Sequence, residues 1–132
     1  DGTFQNVFGV DRPAVQWRCY ILTTERGLSV GTISAWYERG YRGADFGRIH
    51  WLAIRKAWQK RGLSKPMMTF AMNKLAQWHE RAMLTTQTKR LNAIKMYLDF
   101  GFVPDLELPG ARDAWREVAA ALKHPALERL KL

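Results

Sequence analysis

The chain has 132 residues, 47% hydrophobic and 25% charged, which suits one domain with its own core and leaves little room for a second. No apolar run approaches the roughly 20 residues that span a bilayer, no signal-peptide pattern opens the sequence, and the lone Cys19 cannot form an internal disulfide and fits a reducing, cytoplasmic setting. With 21 Lys and Arg against 12 Asp and Glu the formal charge is +9 and the isoelectric point about 10.1, a balance that attracts polyanions such as nucleic acid, acidic membrane or phosphorylated cofactors.

The sequence starts at Asp1 rather than Met, which leaves room for a longer parent chain. Residues 1 to 14 carry weak signals, with a turn at Asp11-Arg12-Pro13. Gln16 to Thr24 is rich in β-branched and aromatic residues and reads as a strand. Glu25-Arg26-Gly27 is a short turn, and Leu28 to Tyr37 returns as a second strand, an antiparallel hairpin. Glu38 to Phe46, with Gly40 and Gly43 among mixed charges, reads as a loop. Gly47 to Ile54 is a third, largely apolar strand.

From Ser64 a helical period sets in, with Met68, Met72 and Leu75 on one face, Ser64 as N-cap, Pro66 in the first turn and an end near Arg81. Met83 to Thr88 reads as a fourth strand. Leu91 to Phe100 reads as a short helix stopped by Gly101, and Phe102 and Val103 begin a last strand. Arg112 to Lys123 is an amphipathic helix, which Pro125 breaks. The order β-β-β-α-β-α-β-α defines a mixed α/β or α+β layer.

The segment from Ile54 to Pro66 carries the clearest chemistry. Five of its residues are basic (Arg55, Lys56, Lys60, Arg61 and Lys65) and none is acidic. Gly62 stands where the backbone turns before the helix start at Ser64. A helix N-terminus offers unpaired N–H groups and a partial positive charge, which suits phosphate. The plain alternative is a solvated βα loop. Neither G-x-x-x-x-G-K-[ST] nor a strand-linked G-x-G-x-x-G occurs, which argues against P-loop and Rossmann enzymes.

Leu52-Ala53-Ile54 followed by Gln59-Lys60-Arg61-Gly62-Leu63-Ser64 resembles the cofactor loop of the GCN5-related N-acetyltransferases, the GNAT superfamily, whose pattern is Q/R-x-x-G-x-G/A after a strand. About thirty residues on, Ala93-Ile94-Lys95-Met96-Tyr97 with Gly101-Phe102 resembles the family's second pattern, A-x-x-x-Y then G-F. The resemblance covers roughly residues 16 to 104. It departs from the pattern at Ser64, where the family has Gly or Ala. It departs again at Arg90, where the family often has Asn; Asn92 lies nearby.

The resemblance implies one GNAT-like domain over residues 1 to 132, with a mostly antiparallel sheet flanked by helices and reduced N-terminal elements. It implies transfer of an acetyl group from acetyl-CoA to an amine acceptor. Acetyl-CoA would lie in an opening between Gly47–Ile54 and Met83–Thr88. Backbone groups of Leu52, Ala53 and Ile54 would pair with its pantetheine arm, with Asn92 as a further contact. Backbone N–H groups from Gln59 to Ser64 would hold the pyrophosphate, and Arg55, Lys56, Lys60, Arg61 and Lys65 would reach the remaining phosphates. Tyr97 would be the general acid; its plain alternative is packing one turn from Ala93.

The family often places a Glu base on the third predicted strand of this chain, which holds none. His50 is that strand's titratable group, and alternation puts it on one face with Leu52 and Ile54. Glu38 and Asp45 are weaker candidates. His79 reads as packing or surface, and His124 lies near the tail. The histidines and Cys19 show no metal-ligand spacing. Trp36 and Trp51 suit either an acceptor pocket or the core. A partner chain could supply the short N-terminal elements, so a homodimer is one expectation. A CoA-binding module without turnover is the main alternative. Nucleic-acid binding fits less well, because the basic residues cluster in one loop and not among aromatic platforms.

Overall fold

The computed structural model describes residues 12 to 132, so the N-terminal signals before Arg12 lie outside the described residues. The chain divides into two compact units, residues 1 to 84 and 85 to 132. In the first unit, helix α1 (Arg12–Arg18) leads into strands β1 (Cys19–Thr23), β2 (Ser29–Tyr41) and β3 (Ala44–Ile54). A 3-10 turn (Lys56–Trp58), helix α2 (Ser64–Trp78) and strand β4 (Ala82–Met83) follow. The sheet order is β1-β2-β3-β4, antiparallel up to β3 and parallel between β3 and β4.

The first hairpin forms as its sequence suggests. Gly27 takes φ +84° and its N–H bonds the Thr24 carbonyl at 2.9 Å. Gln16, Trp17 and Arg18, expected to be extended, instead close α1. Pro13 stands in the first turn of that helix, where its fixed φ and missing N–H cost least.

The expected loop from Glu38 to Phe46 is a second hairpin. Tyr41 pairs with Ala44 across a two-residue turn in which Arg42 and Gly43 have φ of 52° and 73°. Positive φ at both central positions is the primed turn that matches strand twist. The mixed charges hid it because they sit on a solvent-exposed hairpin end.

Helix α2 packs on the sheet through Met67, Met68, Ala71 and Leu75, all buried. A Cβ added at Gly31 would meet the Met67 thioether at 3.2–3.3 Å, and one at Gly47 would meet Leu75 Cδ2 at 2.9 Å. Glycine therefore sets how closely α2 approaches β2 and β3. Ser64 is the first helical residue and not the cap. Leu63 holds the cap position without a side-chain hydrogen bond.

The fourth strand is shorter than Met83 to Thr88. Only Gly47↔Ala82 and Arg48↔Met83 pair, after which β3 continues to Ile54 without β4. β-rich sequence becomes strand only where a partner edge is in reach.

The second unit holds α3 (Leu91–Asp99), α4 (Ala111–Ala121) and α5 (Pro125–Glu128). Ile94, Leu98, Val118 and Leu127 form its core, with Trp115 and Leu122 packed around them. Pro125 starts α5, and His124 Nδ1 caps it by accepting from the Ala126 N–H at 3.1 Å. The strand expected at Phe102 and Val103 is absent among the described residues, and Val103 is 77% exposed.

Gly47→Ala is expected to destabilise the chain by about 1–3 kcal/mol through overpacking against Leu75 and the His79 ring. Urea unfolding of the variant beside wild type measures it.

Candidate active site and cofactor loop

A β-bulge shapes the end of β3. Thr32 pairs with Ala53 and Ser34 with His50, so Trp51 and Leu52 together oppose Ile33. Trp51 has φ +51°, an unusual conformation for a bulky side chain and a local strain of the kind that collects at functional sites. The Thr32 hydroxyl donates to the Trp51 carbonyl at 2.9 Å and secures the bulge.

The extra residue changes which side chains share a face. His50 lies on the Ser34 face, whereas Ile54 pairs with Gly31 on the face covered by α2. The alternation that would group His50 with Leu52 and Ile54 is broken. Leu52 and Ile54 are half-buried and Ala53 is exposed. The last stretch of β3 also lies beyond its pairing with β4. Its backbone edge is the one the sequence assigned to an extended ligand.

Past Ile54 the chain makes its 3-10 turn, and the Gln59 side chain donates back to the Ile54 carbonyl at 2.9 Å. That bond closes the loop onto the strand end. Gln59 has φ −71°, Lys60 +62°, Gly62 +74° and Leu63 −77°. Arg61 is not among the positive-φ residues, so the sign alternates through all five positions. Left-handed Lys60 and Gly62 interleaved with negative-φ neighbours, of which Leu63 is right-handed helical and Gln59 extended, give the loop the φ-sign pattern of an anion-binding nest. Among the described residues, the N–H groups of Lys60, Arg61, Gly62 and Leu63 give no backbone hydrogen bond. The N-terminus of α2 adds the free N–H groups of Ser64 and Lys65.

A Cβ at Gly62 would meet nothing within 4 Å. The glycine is needed there for its backbone conformation and not for space. Lys60, Arg61 and Lys65 are exposed around it. From Phe46 to His79 there are seven Lys or Arg residues and no Asp or Glu, so the stretch of chain that carries the loop is basic with no acidic residue of its own.

Tyr97 and Asn92 belong to the second unit. Tyr97 occupies a defined position in a helix stop. The Phe102 N–H bonds the Tyr97 carbonyl at 3.1 Å and the Gly101 N–H bonds the Leu98 carbonyl at 3.0 Å. With Gly101 at φ +96° this is a Schellman motif. The Phe102 ring meets the Tyr97 ring edge-on at 6.4 Å, which is the apolar contact such a motif favours. Thus Tyr97 and Gly101-Phe102 form one structural device. Burial raises the Tyr97 pKa above its ordinary 10, against a smaller lowering by Arg90. The phenol stays protonated at neutral pH, the state a proton donor needs.

His50 moves the other way. Burial, with help from the Arg48 charge, lowers its pKa from 6.5 to about 4. The imidazole is neutral at physiological pH, but it is a weak base. Glu38 is held by Arg48 at 2.9 Å. Asp45 lies 3.7 Å from His79 Nδ1. His79 itself meets an Arg18 guanidinium nitrogen at 3.0 Å and serves the packing of α1 and α2 on the sheet. Trp36 is core, 5% exposed, and Trp51 is half-buried at the bulge. Among the described residues no group of three His, Cys, Asp or Glu could hold a metal, and no helix is long and apolar enough to cross a membrane.

The bulge was missed in the sequence because alternation assumes an unbroken ladder, and no Gly marked it. The Gln59 side-chain tie and the Trp58–Arg61 contact have no signature in residue pattern either, beyond the position of Gln59 at a strand exit.

The mixed four-stranded sheet with flanking helices matches the fold of known acetyltransferases. The family model of the acetyltransferase (GNAT) family matches residues 9 to 102, and the chain belongs to that family. The match runs across both units. The NatC complex bound to Gag peptide and CoA contains a similar fold, with a TM-score of 0.63 and 23% identity over 74% of this chain and 66% of that one. This chain therefore spans just under two thirds of that neighbour's length. A protein from Agrobacterium tumefaciens str. C58, assigned by inference as an acetyltransferase, is similar with a TM-score of 0.53 and 19% identity over 78% of this chain and 75% of that one. No curated protein sequence matches.

Between pH 6.5 and about 4 the unfolded chain binds a proton at residue 50 that the folded chain refuses. Stability is therefore expected to fall as pH drops through that window and to be fully present above it. His50→Gln should make the fall shallower. Urea midpoints at pH 4.5, 5.5 and 7 check this.

Proposed function

We propose that this chain transfers an acetyl group from acetyl-CoA to a primary amine, within one acyltransferase domain spanning both units. The observation that carries the reading is the loop from Gln59 to Ser64, with its alternating backbone, unspent N–H groups and acid-free basic surroundings. Bound acetyl-CoA supplies an activated thioester. The loop's N–H groups hold the pyrophosphate, with Lys60, Arg61 and Lys65 adding charge that weakens with salt. Backbone groups of Leu52, Ala53 and Ile54 pair with the pantetheine arm, and Asn92 adds a polar contact. Having CoA in a neighbour of the same fold supports this assignment.

The amine nitrogen attacks the thioester carbonyl, a C–N bond forms, and the C–S bond breaks. Tyr97 gives its phenolic proton to the leaving sulfur. His50 stays neutral and orients the attacking amine or its water; with a pKa of about 4 it does not keep the proton, which passes to solvent. That weakness favours a second reading, a CoA-binding module without turnover. Thiol release with a panel of amines separates the two.

Acetyl-CoA is expected to raise the melting temperature of wild type. Gly62→Val forces a β-branched residue into φ +74° and is expected to weaken acetyl-CoA binding at least tenfold. Calorimetry that finds normal affinity in this variant refutes the phosphate cradle.

Tyr97→Phe keeps the ring contact with Phe102 and is expected to lower kcat by roughly 10²-fold, within the range for a general acid. Acetyl-CoA affinity should change little. An unchanged kcat removes Tyr97 from the chemistry.

A further inference from the structure

One cation of the loop differs from its neighbours. The Arg61 guanidinium carbon lies 4.6 Å above the centroid of the Trp58 ring. Trp58 ends the 3-10 turn and is half-buried in a segment whose other members are mostly exposed. The turn is closed by the Trp58 N–H donating to the Arg55 carbonyl at 2.8 Å. The 3-10 turn fixes the backbone at Trp58, and the half-buried ring carries Arg61 over one face. By contrast, the side chains of Lys56, Lys60 and Lys65 make no ion pair or ring contact among the described residues. They are point charges on flexible stems. Arg61 is a planar fork held in place by a cation–π contact.

This difference matters for a phosphorylated ligand. A backbone nest suits a pyrophosphate bridge, whose oxygens each carry a partial share of charge. A terminal phosphomonoester carries close to two charges at neutral pH and offers several equivalent oxygens, which a guanidinium grips with two parallel hydrogen bonds. Pre-orientation on a ring reduces the rotamer freedom lost when it does so.

We infer that Arg61, positioned by the ring of Trp58, recognises the phosphomonoester on the ribose of the acyl-CoA nucleotide, so that the loop separates CoA thioesters from their dephospho forms. This rests on the acetyl-CoA reading above and adds a specificity determinant to it. Arg61 is the contacting residue. Trp58 is a positioning residue acting through Arg61.

The test compares acetyl-CoA with acetyl-dephospho-CoA by titration calorimetry on the full chain. Wild type is expected to bind acetyl-CoA at least tenfold more tightly. Arg61→Ala should bring the two affinities within about threefold of each other, chiefly by weakening acetyl-CoA. Trp58→Tyr keeps an aromatic face and should keep the preference, whereas Trp58→Leu should lose most of it. Lys60→Ala should weaken both ligands alike and leave the ratio unchanged.

An Arg61→Ala protein that keeps the wild-type ratio overturns the inference, as does equal loss in Trp58→Tyr and Trp58→Leu. Wild type binding both thioesters with equal affinity overturns it too, while the acetyl-CoA reading stands. Wild type binding neither sinks both.

Discussion

The site depends on one irregularity in the sheet. At Trp51 and Leu52 strand β3 takes two residues where β2 takes one, and the Thr32 hydroxyl holds the bulged carbonyl. β4 covers the far edge of β3 only at Gly47 and Arg48, and past the bulge the edge stays unpaired while the faces exchange. The strand then delivers the chain into the 3-10 turn and the nest. Without the extra residue, Ile54 would not face Gly31 and α2, and the Gln59 tie to its carbonyl would start from a differently aimed strand end. A bulge of this kind has a cost, because a tryptophan is held at φ +51°. The surrounding ladders on β2 are long enough to hold it.

The two family patterns also acquire physical content. The Gly of the first pattern, Gly62, and the Gly before Phe102 serve the same need, a left-handed φ that other residues adopt only with strain. In the first case the result is a loop whose N–H groups are left without backbone partners among the described residues. In the second it is a Schellman stop that fixes the register between Tyr97 and Phe102. A tyrosine at the third position from the end of a helix is thereby fixed both through its carbonyl and through its ring.

Much of this was legible in the sequence, and the boundaries of legibility are informative. The basic loop, Gly62 and the α2 start could be read because turn chemistry and helix periodicity are local. The helix of Tyr97 and its stop at Gly101 could be read for the same reason. What failed was non-local. The second hairpin was hidden by charges at its exposed end, and α1 by aromatic residues that favour strands. The strand after Met83 was over-read because β propensity says nothing about whether an edge is available. The placement of His50 failed because one inserted residue reverses alternation. Its depressed pKa, set by burial and Arg48, follows from tertiary packing and has no signature in the sequence.

The acid-free, basic stretch from Phe46 to His79 bears on how the loop meets water. A concave row of spare N–H donors in such a field does not stand bare; small anions from the medium gather there. On the acetyl-CoA reading proposed above, ligand entry is an exchange in which the incoming polyphosphate displaces such ions and gains from their dispersal. The affinity of this surface is accordingly a joint property of protein and buffer. Chloride and phosphate media of equal ionic strength are different reference states for it.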